Sequence, residues 1–240
     1  MCTVTYIPAE SGYFLTSNRD EKSTRSTAIS PKIYYHKNTK LIFPKDPDAS
    51  GTWIVAKENG DSLCLLNGAF TNFIDNGNYK TSRGLIVLDI ASSENLKDRF
   101  EKIDLDSVAP FTLLICSKIE LYECRWDGEN KFIFNLDKTK PHIWSSATLY
   151  DEVQREKRKN WFNKFVNLNS NFTQEEIICF HKNTGDGNVE NDLVMNRDNK
   201  YFTVSITSIV VVENNVQMQY QNLITNDKSV VKFSNELELQ

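Results

Sequence analysis

The chain has 240 residues, of which 28 are Lys or Arg and 32 are Asp or Glu, for a formal net charge of −4 at pH 7. That mild acidity argues against a nucleic-acid-binding protein, which needs a basic footprint. The 40% of hydrophobic residues suffice for one sizeable core, and disorder is not indicated.

Residues 2–7 alternate in polarity like a strand, and residues 12–17 read as the hairpin partner across a turn at 8–11. Residues 52–56 and 63–66 flank Glu58-Asn59-Gly60-Asp61, and Asn-Gly between β-rich runs signals a hairpin. Residues 83–91 crowd Leu85, Ile86, Val87 and Leu88 onto a helix-length segment. Residues 93–103 place Leu96, Phe100 and Ile103 at helical spacing behind a Ser93 cap. Beyond Pro110, residues 111–116, 119–126 and 131–135 predict three consecutive antiparallel strands. Residues 151–166 predict a helix with Trp161, Phe162 and Phe165 inward and the basic run Arg155, Lys157, Arg158 and Lys159 on a solvated face. Thr173 caps a further helix through His181, and residues 201–212 and 216–223 form a last strand pair.

No repeat or low-complexity linker divides the chain, so residues 1–240 are expected to form a single domain. Blocks of hairpin-linked strands separated by helix pairs predict an α+β fold with antiparallel sheets. Two facing sheets with helices outside would account for the lengths. No apolar run approaches the roughly 20 residues of a membrane helix. The opening Met-Cys-Thr-Val lacks the basic and apolar regions of a secretory signal. Membrane insertion is therefore not expected.

The five cysteines, Cys2, Cys64, Cys116, Cys124 and Cys179, are odd in number and form no C-x-x-C. Reduced thiols in a cytoplasmic protein are the simplest reading. His36, His142 and His181 are scattered, and no H-E-x-x-H occurs, so neither a metal nor another cofactor is expected.

Cys2 is the most informative residue. Its small side chain permits removal of Met1, which would leave a thiol and a free α-amine on one residue. An α-amine titrates near ~7.7–8.0, so it can act as a general base where a Lys amine is mostly protonated. Taken alone, Cys2 is accounted for more simply as a thiol in an edge strand with Met1 retained. Asn18-Arg19-Asp20-Glu21 closes the second strand. That tetrad is either a polar turn or a group folded back beside Cys2. Asp20 would then hold the ammonium, and Arg19 would stabilise the thiolate or orient Asp20. Asn67 follows an apolar strand and precedes Gly68. It is either a turn residue or a polar group facing a site where neighbouring N–H groups bind an oxyanion.

Met1-Cys2-Thr3-Val4, Asn18-Arg19-Asp20-Glu21, Ser50-Gly51-Thr52-Trp53, Leu66-Asn67 and Ser82-Arg83-Gly84 occur in that order. In combination they resemble the NRDE family, also called the transport and Golgi organization protein 2 family. The resemblance is strongest over roughly the first 90 residues and continues weakly through residues 145–149 and 203–207. That family is in turn similar to the N-terminal-nucleophile hydrolases of the penicillin V acylase and conjugated bile acid hydrolase type. The resemblance implies an αββα four-layer sandwich with two antiparallel sheets. It implies Cys2 as nucleophile and, through its amine, base, with Arg19 and Asp20 as the supporting pair and Asn67 at the oxyanion region. Asn18, Trp53 and Arg83 belong to the matched motifs as binding or support residues. Trp53 reads as core, and Arg83 as either a helix-junction residue or an anion contact.

Two departures stand out. The bile acid hydrolases take an oxyanion Asn from a later strand, where this chain has Ser146; losing one such donor costs roughly 2.7–4 kcal/mol. The family's Gly-Gly-Thr-Trp is here Ser50-Gly51-Thr52-Trp53.

Two functions follow. One is an amidohydrolase that cleaves a C–N bond in a non-peptide, small-molecule amide. The other is a non-catalytic carrier on the same fold, since members of the family have been linked to haem trafficking and lipid metabolism. For haem, no Cys precedes a Pro and no C-x-x-C-H is present, so an axial ligand would have to be Cys2 or one of the scattered histidines. Among the thiols, Cys64, Cys116 and Cys179 lie in apolar segments expected to bury them. Cys124, between Glu123 and Arg125, is expected to be partly exposed.

Overall fold

The computed structural model describes residues 3–73, 79–169 and 171–233. β1 (Thr3–Ala9) and β2 (Gly12–Lys22) form an antiparallel hairpin. β3 (Ile29–His36), β4 (Thr39–Lys45), β5 (Ile54–Lys57) and β6 (Ser62–Asn67) follow as a meander. Next come α1 (Arg83–Ala91), α2 (Leu96–Lys102), β7 (Phe111–Cys116), β8 (Leu121–Trp126), β9 (Lys131–Asn135) and β10 (His142–Ser145). The chain continues through α3 (Glu152–Leu168), α4 (Gln174–Asn183), β11 (Asn196–Arg197), β12 (Tyr201–Val212), β13 (Asn215–Asn222) and β14 (Lys228–Lys232).

One sheet runs β10-β1-β2-β12-β13-β14, with β11 paired to β12; the other runs β3 through β9 in sequence order. Every pairing between these strands is antiparallel. Val4, Tyr6, Tyr13 and Leu15 of the first sheet share one core with Ile42, Ile54, Cys64 and Leu114 of the second. The alternate residues Ile7 and Phe14 pack outward on Phe162 of α3 and on Ile177 and Phe180 of α4. α1 packs on β5 and β6, and α2 on α1. The layer order is therefore helices, sheet, sheet, helices, because each strand of the first sheet alternates between two apolar faces. Among the described residues, no helix is long and apolar enough to cross a membrane.

Several expectations are corrected here. Asn18-Arg19-Asp20-Glu21 does not end its strand: β2 runs on to Lys22 because β12 pairs with it up to Tyr201↔Lys22. β3 and β4 escape sequence patterning because each carries a proline (Pro31, Pro44), a residue that ordinarily argues against a strand. Ser93 does not cap α2; Asn95 does, its side chain accepting from Asp98 N. The Ser93 hydroxyl is already committed to Ile90 O at 2.7 Å. Arg158 is not on the solvated face of α3 but is fully buried, one turn from the buried Phe162 on the same stripe.

Tyr13 ties the two sheets together. From β2 its hydroxyl meets Gly60 O at 2.8 Å, Ser62 Oγ at 2.6 Å and Cys116 O at 3.1 Å. Burial pushes this phenol well above its usual range, so it stays a donor. Tyr13→Phe should lower stability by about 1–3 kcal/mol, because the buried acceptors lose their shared donor. Urea unfolding would measure it, with an unchanged midpoint as the contrary result.

Candidate active site

The four residues of the Asn18-Arg19-Asp20-Glu21 tetrad alternate across β2, and their partners differ by face. Asn18 faces the helices: its Nδ2 donates to Leu193 O at 2.6 Å and to His181 O at 3.1 Å. Its Oδ1 accepts from His181 Nδ1 at 2.6 Å. Both amide protons being spent, the ring must carry its proton on Nδ1, which leaves Nε2 to accept from Thr5 Oγ1 at 2.7 Å. Asp20 faces the same way and accepts from Tyr150 Oη and Thr203 Oγ1, each at 2.6 Å.

Arg19 points to the opposite face. Its Nη2 lies 2.8 Å from Asp46 and 3.5 Å from Glu21, and its guanidinium sits 4.4 Å from the centre of the Trp53 ring. Arg19 and Asp20 therefore do not orient one another, because neighbours on a strand face opposite ways. Asp46 is held in turn by Arg25 Nη2 at 2.9 Å and by the N–H groups of Asp48 and Ala49. Among the described residues, Arg19 Nε and Trp53 Nε1 are sealed from solvent and donate to no protein acceptor. Arg19, Trp53 and Arg83 line a small cavity of about 70 Å³. Arg83 Nη1 also donates to Pro110 O at 3.2 Å.

The glycines of the matched motifs have a packing reason. A Cβ on Gly51 would lie 2.4 Å from Gly84 C, and one on Gly84 would lie 2.9 Å from Thr52 N. The start of α1 thus rests backbone on backbone against residues 51–52. Ser50 takes φ +57, the left-handed region where the resemblance expects a second glycine.

Asn67 and Ser146 come together. Ser146 Oγ donates to Asn67 O at 2.8 Å and lies 2.9 Å from Thr148 Oγ1. With its proton given to a carbonyl, Ser146 clamps the end of β10 to β6. Asn67 Oδ1 is buried without a partner among the described residues, so the Asn67 carboxamide is less committed. Beside this clamp opens a cleft of about 300 Å³, lined by Leu66, Trp144 and Arg125 from the sheets and by Arg155 from α3.

Cys2 lies outside the described residues. The other thiols depart from expectation in two cases. Cys124 is buried, and burial pushes its thiol up to about 12. Cys179 is exposed on the outer side of α4, between inward-facing neighbours Ile178 and Phe180. Sequence reasoning missed Asp46, Tyr150, Thr203 and His181 as partners of the tetrad. For Arg158 a signal existed, its four-residue offset from Phe162. Among the described residues, no group of three or more His, Cys, Asp or Glu side chains is arranged to hold a metal ion.

Two facing antiparallel sheets between helix layers, with a polar cluster at the open end of β1 and β2, define an N-terminal-nucleophile-hydrolase-like fold. Over residues 1–236 the sequence matches the profile described as Transport and Golgi organisation 2, and the chain belongs to that family. Among curated proteins, no sequence gives a significant match. One similar solved structure is the Caenorhabditis elegans ortholog of N-acylethanolamine-hydrolyzing acid amidase, with TM-score 0.60 and 12% identity, covering 87% of this chain and 92% of that one. Another is a C2A mutant of conjugated bile acid hydrolase from Clostridium perfringens, with TM-score 0.54 and 11% identity, covering 98% and 93%.

Two predictions follow from this geometry. Gly51→Ala should destabilise more than Gly84→Ala, each by roughly 1–3 kcal/mol, since backbone cannot yield to a Cβ as a side chain can; thermal unfolding gives the order. His181 is held down to about 3 by burial and by the charge of Arg158. The unfolded chain, with a His near ~6.5, binds the proton first. Stability should therefore fall on acidification between those values, by at most about 1.4 kcal/mol per pH unit from this residue. Urea midpoints from pH 7 to pH 4 would show a shallower slope in His181→Asn.

Proposed function

We propose that the chain, once Met1 is removed, is a thiol-type N-terminal-nucleophile amidohydrolase acting on a non-peptide amide of a small molecule. The observation that carries this reading is strand register. Val4 pairs with Ser17 on one side and with Trp144 on the other. If the strand keeps these registers toward the start of the chain, as we propose, Cys2 would come between Arg19 and Ser146. A nucleophile there would have a buried guanidinium on one flank and the Ser146–Asn67 clamp on the other. Cys2 also shares its parity with Val4 and Tyr6, which face the inter-sheet core.

In this mechanism the α-amine of Cys2 takes the thiol proton, and the thiolate attacks the amide carbonyl. The carboxamide of Asn67 supports the oxyanion. Collapse of the tetrahedral intermediate breaks the C–N bond, and the ammonium returns its proton to the leaving nitrogen. Water, deprotonated by the same amine, then hydrolyses the thioester and frees the carboxylate product and the thiol. The cleft of about 300 Å³ beside Ser146 offers room for the acyl part. The similar solved structures support the reading by their names, an acid amidase and a conjugated bile acid hydrolase. We read the whole chain as one domain, and the odd number of cysteines with no C-x-x-C spacing supports a cytoplasmic setting.

Protein from the native host should show an intact mass without Met1. A limiting amount of iodoacetamide near neutral pH should then label Cys2 ahead of Cys179, the exposed thiol. Arg19→Ala should slow that labelling several-fold, and Arg19→Lys less, because nearby positive charge favours thiolate. Retention of Met1, or Cys179 reacting first, would sink the nucleophile and favour the ligand carrier, which asks nothing of Cys2.

A further inference from the structure

Among the described residues that line the cleft beside Ser146, one half-buried charge has no partner. The apolar wall of the cleft is Leu66, Ile143, Trp144 and Ala147. The Trp144 indole is fixed there, because its Nε1 donates to Glu123 Oε2 at 2.6 Å. Glu123 Oε1 takes Arg125 Nε at 2.5 Å, and Arg125 Nη1 donates to Ala69 O at 2.8 Å. Arg125 therefore enters the cleft already neutralised. On α3, Lys159 is paired with Glu156, 3.5 Å away. Of the lining charges, Arg155 and Glu152 are left. Glu152 is exposed, and as the first residue of α3 it is stabilised by the helix N-terminus. Arg155 is half-buried, and among the described residues no acceptor takes a hydrogen bond from its guanidinium. Its place on the helix does not account for it. A cation just past the first turn opposes the helix dipole, and Lys159, four residues on, is a like charge on the same face. A half-buried guanidinium without a partner costs free energy, which a ligand anion would offset.

We infer that Arg155 sets the specificity of this cleft: it receives a ligand with an apolar body and a carboxylate at its far end. The inference rests on the reading of the cleft as the acyl site of an amidohydrolase. Under that reading the substrate is the half-amide of a dicarboxylic acid. The scissile carbonyl would lie at the Ser146 end, the methylene chain along Leu66, Ile143 and Trp144, and the second carboxylate against α3. A carboxylate matches the planar fork of a guanidinium with two parallel hydrogen bonds, a geometry that a lysine ammonium does not offer. Glu152 and Glu156 oppose such a ligand, but both stand on the exposed surface of the helix. An acyl chain ending in a methyl group would leave Arg155 unpaired beside apolar surface, and the cleft discriminates against it on that account. Hydrolysis would consume one water and release a dicarboxylate and an amine.

The test is a binding measurement by isothermal titration calorimetry on Cys2→Ala protein, in which no probe is consumed. The probes are the half-amides of glutaric, suberic and sebacic acids, each set against the plain amide of the same chain length. At least one half-amide should bind about tenfold more tightly than its plain amide, the scale of a hydrogen-bonded contact with a charged group. Arg155→Gln should remove that advantage and leave the affinity of the plain amide unchanged, and Arg155→Lys should keep part of it. Half-amides that fail to bind or bind no more tightly than the plain amides, or an advantage that survives Arg155→Gln, overturn the inference. The two readings fail separately. Retention of Met1 in native-host protein removes the nucleophile and leaves the binding difference standing. Equal affinities, with Cys2 of the native protein still the first thiol labelled, remove only the acid-ended acyl group.

Discussion

The structure depends on burying a run of polar and charged side chains in the second strand of the first sheet. β2 lies between β1 and β12, covered by α4 on one face and by the second sheet on the other. Asn18, Arg19 and Asp20 are each 2% exposed or less. Leaving any of them unpaired would cost several kcal/mol, so both neighbouring layers must be built around them. On the helix side, His181, Leu193, Tyr150 and Thr203 supply partners. On the inter-sheet side, Asp46, Glu21 and Trp53 do.

That demand explains features otherwise unrelated in sequence. The loop at 46–51 folds tightly because Asp46 must meet both Arg19 and Arg25. Gly51 and Gly84 are small because α1 has to close over that loop at backbone distance. His181 sits neutral in the interior because burial and the charge of Arg158 disfavour its second proton, while Asn18 and Thr5 engage its two nitrogens. Polar networks rigidify a fold as far as they are satisfied, and in this one Arg19 Nε and Trp53 Nε1 have no acceptor among the described residues.

The arrangement also divides labour across a single strand. Because successive residues face opposite ways, Arg19 and Asp20 serve different layers although they are chain neighbours. Arg19 belongs with the inter-sheet space and its cavity, and Asp20 with the buried Tyr150–Arg158 stack. A guanidinium and a carboxylate on neighbouring residues are thus held apart by the thickness of one sheet, without neutralising each other in an ion pair.

Alternation and turn residues, by themselves, were enough to establish an α+β chain of hairpins, the positions of α1, α3 and α4, and the motifs that carry the family. Such features are local: a strand's period of two, an Asn-Gly turn and a Thr or Asp cap act within a few residues. Tertiary structure decided the rest. Whether residues 18–21 are a turn or a buried strand depends on β12, about 180 residues later. Whether Arg158 meets solvent or Tyr150, and whether Ser146 is a free hydroxyl or a clamp on Asn67, depends on which layer closes over each. A polar side chain carries no local mark of burial, because its energy is set by partners that only the packed layers bring within hydrogen-bonding distance.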